Sequence, residues 1–218
     1  ALDGRVVLEQ DSVPPRVRLR YGLPLLGHRA SEREGSRGDR GAARRVGLVR
    51  ELPVEEGSVM PEGPVARIAL VERHRGTGGV VNGFVEGFGY EGRMAIASTV
   101  AHDSHHMIVV GTDAAMMAKA ANRLGEVGGG VTVWRDDAER ALVRLPIAGL
   151  MSDAPAREVA AQADAMVAAM RDTGCTLNNA YMQHSLLALV VIPELRISDL
   201  GLVDVTRFEI TGPFEGQD

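Results

Sequence analysis

Cysteine, tryptophan and lysine occur once each in the 218 residues, as Cys175, Trp134 and Lys119, and aromatic residues make up only 4%. A lone cysteine excludes an internal disulfide framework, and Cys175, just past a predicted helix end, reads as a packing residue with no chemical role. No His-x-His, cysteine pair or His-Glu-x-x-His is present, so no self-contained metal motif is written into the chain. No Gly-Lys-Ser/Thr exists for a phosphate loop, and "GTGGVVNG" (76–83) breaks the dinucleotide fingerprint at Val81. The longest apolar run, "LLALVVI" from Leu186 to Ile192, falls well short of the ~20 residues a membrane crossing needs. The N-terminus lacks the basic-then-apolar pattern of a secretion signal, so a cytoplasmic protein without a membrane partner is expected.

What remains is an ordinary globular composition, 45% hydrophobic and 24% charged, which excludes wholesale disorder. A net charge of -5 argues against a general nucleic-acid binder. The balance is uneven, however: residues 16–50 hold ten arginines against three acids, with no sustained helical or strand period. Tyr21 is their only aromatic, so stacking on bases is poorly served and no nucleic-acid partner is expected. Residues 1–60 therefore read as an N-terminal strand followed by an irregular, arginine-rich arm, and residues 61–218 as the folded domain.

From residue 61 the pattern is regular. "PVARIALVERH" (64–74) alternates as a half-buried strand, with Val65, Ile68 and Leu70 among its β-formers, and "GRMAIASTVAH" and "MIVVG" read as two more strands. Thr112 and Asp113 are natural caps for a helix through "AAMMAKAANRLGEV", which Gly128 stops. "GVTVWRD" and "RALVRLPI" form a hairpin around Asp136 and Asp137. A second helix, "REVAAQADAMVAAMRDT", is capped by Ser152 or Asp153, with Pro155 in its first turn, and "GLVDVTRFEI" is a last strand. The expectation is an α/β or α+β fold: a mixed sheet covered by two main helices, with an irregular N-terminal arm. The glycines of 76–83 are expected to let the backbone turn tightly or approach something closely.

Between two strands lies "VAHDSHH" (100–106), with three histidines, an aspartate and a serine in five positions. If the segment is extended, His102, Ser104 and His106 face one way and Asp103 and His105 the other. Asp103 beside His105 would then form a hydrogen-bonded pair able to fix the imidazole tautomer. A serine nucleophile at Ser104 is disfavoured, because the orienting carboxylate points away. His102 and His105, with His74 or His184 folding in, would be the donors of any metal site. The alternative to a functional pocket is a mutually hydrogen-bonded polar cluster at a strand end.

"ERHRGTG" (72–78), "TVAHDSHHMIVVGT" (99–112), "ANRLGEVGGGV" (121–131), "LPIAGLMSD" (145–153) and "LALVVIPELRISDLGLVDV" (187–205) resemble, in order and spacing, the C-terminal domain of adenine deaminases. The opening "DGRVV" is similar to the strand before that domain. The resemblance implies hydrolysis of adenine to hypoxanthine and ammonia by an amidohydrolase whose barrel holds a divalent metal, manganese or iron. This chain lacks the barrel's metal motifs, so it implies a barrel partner in cis or trans, possible homo-oligomers, and no activity for the chain alone. It assigns Asp103 and His105 to proton handling, and His74, His102 and Ser104 to substrate contact, with no metal ligand. The alternative is a non-catalytic purine-binding or interaction module derived from that domain. Arg75, His106, His184 and Val190 depart from the family pattern.

Overall fold

The structure, a computed structural model, describes residues 16–21, 48–55 and 58–214. In chain order its elements are β1 (Arg16–Tyr21), β2 (Leu48–Glu55), β3 (Ser58–Val59), β4 (Val65–Val71), β5 (Val80–Glu86), β6 (Met94–Ser98), β7 (Met107–Gly111), α1 (Ala114–Val127), β8 (Gly130–Arg135), β9 (Ala138–Arg144), α2 (Ala156–Asp172), α3 (Ala180–Leu187), β10 (Leu195–Ser198), β11 (Gly201–Asp204) and β12 (Glu209–Thr211). A six-stranded sheet in the order β5-β4-β7-β6-β8-β9 forms the centre, flanked by the three-stranded sheets β1-β2-β3 and β10-β11-β12. Every pairing in the central sheet is antiparallel, so the fold is α+β and the sheet is not mixed in direction.

Both faces of that sheet are covered. On one, the small side chains of Ala69, Ala95 and Ala97 admit Met116, Met117, Ala120 and Leu124 of α1. On the other, Ile68, Leu70, Ile96, Ile108 and Val110 pack with Met166, Ala169 and Met170 of α2, with α3, and with Leu195, Ile197 and Leu202 of the β10–β11 hairpin. Strand β4 is accordingly buried at every position from Val65 to Leu70, where alternation had suggested a half-buried strand. A strand covered on both sides has no solvent face to give it a two-residue polarity period.

Local signals explain most element ends. Asp113 caps α1 by accepting from the Met116 amide at 3.0 Å, and Gly128 closes it in the left-handed region at φ 84. Asp136 and Asp137, both at positive φ, make the two-residue β8–β9 turn. Helix α2 differs: Pro155 is its N-cap residue, and neither Ser152 nor Asp153 caps it. Ser152 Oγ accepts instead from the Ala154 amide at 3.2 Å, one turn too early. The expected last strand breaks into β11 and β12, because Asp204 Oδ1 accepts from the Thr206 and Arg207 amides at 3.0 and 3.1 Å and turns the chain. Within the arm read as irregular, β1 pairs with β2, and Arg50 of β2 grips Glu86 of β5 through two bonds of 2.7 and 2.8 Å. The opening "DGRVV" and residues 22–47 lie outside the described residues.

Helix α3 and strands β5 and β10 answer to no pattern picked out in the sequence. The helix brings His184 into the core, where it is 1% exposed beside Phe88 and hydrogen-bonded through Nε2 to the Tyr90 hydroxyl. Burial lowers its pKa to about 3. Below its ordinary range the unfolded chain binds a proton that the folded chain refuses, so this contribution to stability falls as pH drops toward 3. Urea unfolding should lose ~2 kcal/mol between about pH 7 and pH 5 from this residue. His184→Gln, which keeps a hydrogen-bond partner for Tyr90 and cannot titrate, should flatten that slope; an equal slope in the variant would reject the assignment.

Candidate functional site

Antiparallel register decides where the polar segments go. Val71 at the end of β4 is opposite Val80 at the start of β5 and Met107 at the start of β7, while Ser98 at the end of β6 faces Ile108 and Val131. Gly130 in turn faces Arg144 at the end of β9. Residues 72–79, 99–106, 128–130 and 145–151 therefore share one rim of the sheet. Ser185 of α3 and Asp199 of the β10–β11 turn join it, through the His102 amide and the His106 ring respectively.

The first segment is organised by Glu72. Its carboxylate accepts from the amides of His74, Arg75 and Thr77 at 2.5, 2.7 and 3.0 Å, and from the Thr77 hydroxyl at 2.9 Å. The Thr77 and Arg75 amides lead in holding the charged form, and the pKa falls to about 2. Gly76 and Gly78 take positive φ within this tight turn, as their placement suggested.

The histidine segment is a turn and not an extended strand, which overturns the expected alternation. The His105 amide donates to Ala101 O at 2.6 Å, and His105 itself sits at φ 53. Folding back in this way brings the rings of His102 and His105 edge to face, 5.3 Å between centroids, although alternation had put them on opposite sides. The Asp103–His105 hydrogen bond is not formed either: His105 Nδ1 accepts from the Ala101 amide at 3.3 Å, which leaves the imidazole proton on Nε2. Burial first, then the charges of His102 and Arg73, lower the His105 pKa, with Asp103 opposing. His105 is thus held neutral at pH 7, and that state is lost as pH falls below the ordinary imidazole range.

Four of the five expected site residues lie within or beside this turn: His102 and His105 half-buried, Asp103 and Ser104 exposed. The fifth, His74, is exposed and donates from Nε2 to Ser104 O at 2.6 Å, tying the two segments together. His106, which the sequence reading left outside the site, is 6% exposed at the base of a cleft of about 280 Å³ shared with Glu72, His74, Arg75 and Asp199. Its ring lies 4.6 Å from that of His74, its Nδ1 accepts from the Arg73 amide at 3.4 Å, and its Nε2 is 3.6 Å from Asp199 Oδ2. Nothing local marked Glu72 or Asp199 as site residues: the one acts toward backbone amides, and the other reaches His106 only through the fold.

The donor set does not fit a metal. Among the described residues no three His, Cys, Asp or Glu side chains are placed to hold an ion. His184, considered as a ligand with His102 and His105, is instead buried against Tyr90. Among the described residues, the manganese or iron implied by the resemblance therefore finds no set of ligands.

The adenine deaminase C-terminal domain model matches residues 46–209, which take in β2 as well as the central sheet. Adenine deaminase of Paracoccus denitrificans is 75% identical over 163 residues, that of Roseobacter denitrificans 78% over 159, and that of Moorella thermoacetica 47% over 171. These stretches cover 75, 73 and 78% of this chain but only 27, 26 and 28% of the relatives. The chain belongs to the adenine deaminase C-terminal domain family.

Because Glu72 titrates so low, the 72–79 turn should survive acid that protonates ordinary carboxylates. Amide exchange at Arg75 and Thr77 should stay slow down to about pH 3, and Glu72→Gln should abolish that protection at every pH. Loss of protection near pH 4 in the unaltered chain would contradict the assignment.

Proposed function

We propose that this chain forms one wall of an adenine deaminase active site. In this reading, hydrolysis of adenine to hypoxanthine and ammonia occurs where its rim abuts a metal-bearing amidohydrolase barrel, joined in cis or associated in trans. One observation carries the reading: all five motifs that resemble adenine deaminases, far apart in sequence, reach the same rim. The manganese or iron belongs to the barrel in this proposal. A cytoplasmic setting fits a chain whose one cysteine is free and buried, and whose described helices include none long and apolar enough to cross a membrane.

Deamination needs protons delivered to the purine ring and to the departing amine. Asp103, exposed on the turn, and His105, neutral with its proton on Nε2, are the groups able to exchange them. In this reading His102, which lies beside His105, and His74 and Ser104, which are linked through the Ser104 carbonyl, contact the heterocycle.

Ammonia release from adenine should be absent with the 218-residue chain alone. It should appear when manganese or ferrous iron and the separately expressed remainder of the Paracoccus denitrificans enzyme are added. Asp103→Asn should then lower the rate at least ~100-fold, the scale for a proton-transfer group. Unchanged activity would remove Asp103 from the mechanism. Adenine binding by the chain with no activity in the mixture would favour the non-catalytic purine-binding module.

A further inference from the structure

Just past the end of β4, Arg73 makes contacts that none of the roles above requires. Its Nε donates to His105 O at 2.6 Å and its Nη2 to Ala148 O at 3.0 Å, while its backbone amide meets His106 Nδ1. One guanidinium thus spans the histidine turn and the 147–151 turn. No carboxylate pairs with it among the described residues, so both bonds go to neutral carbonyls. A half-buried cation without a counter-charge is a poor choice for packing alone, but a planar fork is well suited to holding two acceptors at a fixed separation.

The second turn is shaped to receive it. A Cβ on Gly149, which sits at φ 73, would lie 3.0 Å from Arg73 Nη2 and 3.1 Å from its Cζ. Thr99 Oγ1 donates to Gly149 O at 2.7 Å and accepts from the Gly130 amide at 2.8 Å, fixing the turn from the opposite side. Ile147 and Met151, paired across the turn, remain 46 and 58% exposed. An apolar turn this well anchored and this open stands directly beside the histidines.

We propose that Arg73 is a positioning residue: its fork locks the histidine turn to the 147–151 turn, so that the polar and apolar parts of the rim present one rigid surface. Its importance for deamination rests on the function proposed above, whereas the lock itself does not.

Hydrogen exchange on the 218-residue chain tests the lock. In Arg73→Ala, amides in both 101–106 and 147–151 should exchange about tenfold faster, the scale on which loss of one hydrogen bond shows. The buried amides of α1 should be unchanged. Arg73→Lys, which keeps the charge but can reach one carbonyl, should release only one of the two segments. Gly149→Ala should loosen 101–106 in the unaltered chain and add nothing there in the Arg73→Ala background. If Arg73→Ala fails to fold, the other two variants carry the same comparison. Wild-type exchange at either segment in Arg73→Ala, or at both in Arg73→Lys, would overturn the proposal, as would an equal rise throughout α1. In the assembled deaminase assay Arg73→Ala should lower kcat more than it raises KM, with partial rescue by lysine. An inactive wild-type mixture would sink the deaminase reading while leaving the exchange result intact.

Discussion

The central sheet has no open face, and the rest of the structure follows from that. With α1 packed on one side and α2, α3 and the β10–β11 hairpin on the other, nearly every side chain in the middle strands is buried. Charged and titratable groups are costly there without partners. The polar residues of the segments between strands therefore collect at the strand ends. Antiparallel register then decides which of those segments meet, and it brings 72–79, 99–106, 128–130 and 145–151 to a single rim.

That rim is built from backbone as much as from side chains. Glu72 is spent on amides, His74 on Ser104 O, Arg73 on two carbonyls and Thr99 on Gly149 O. Such bonds hold the turns while leaving Asp103 and Ser104 exposed and His102 and His105 partly so. Side chains on preorganised loops over a packed scaffold are suited to recognition and catalysis.

Legibility varied with how local the cause was. Helix α1, the β8–β9 hairpin and strands β4, β6 and β7 could be read because caps, turn residues and β-branched runs act within a few residues, whereas the glycines of 76–83 hid β5. Alternation misled at β4, where burial on both faces hides the period, and again at 102–106, where a left-handed residue replaces extended backbone. The split between β11 and β12 rested on one aspartate side chain binding its own backbone, a signal that "VDVTRFEI" contains but its apolar pattern outweighs. The candidate residues His74, His102, Asp103, Ser104 and His105 could be picked from their density and from the family resemblance. Asp199 could not, because only folding brings it to His106. Arg73 and Glu72 went unread because their roles are toward backbone atoms that no motif names.

Glu72 carries one more consequence. Glycine-rich turns ordinarily offer their amides to an incoming anion, but here an internal carboxylate already occupies three of them. An anion approaching this turn would have to displace a group tethered to the same chain. The turn is in this sense prefilled, its amides already bonded to a carboxylate of the same chain.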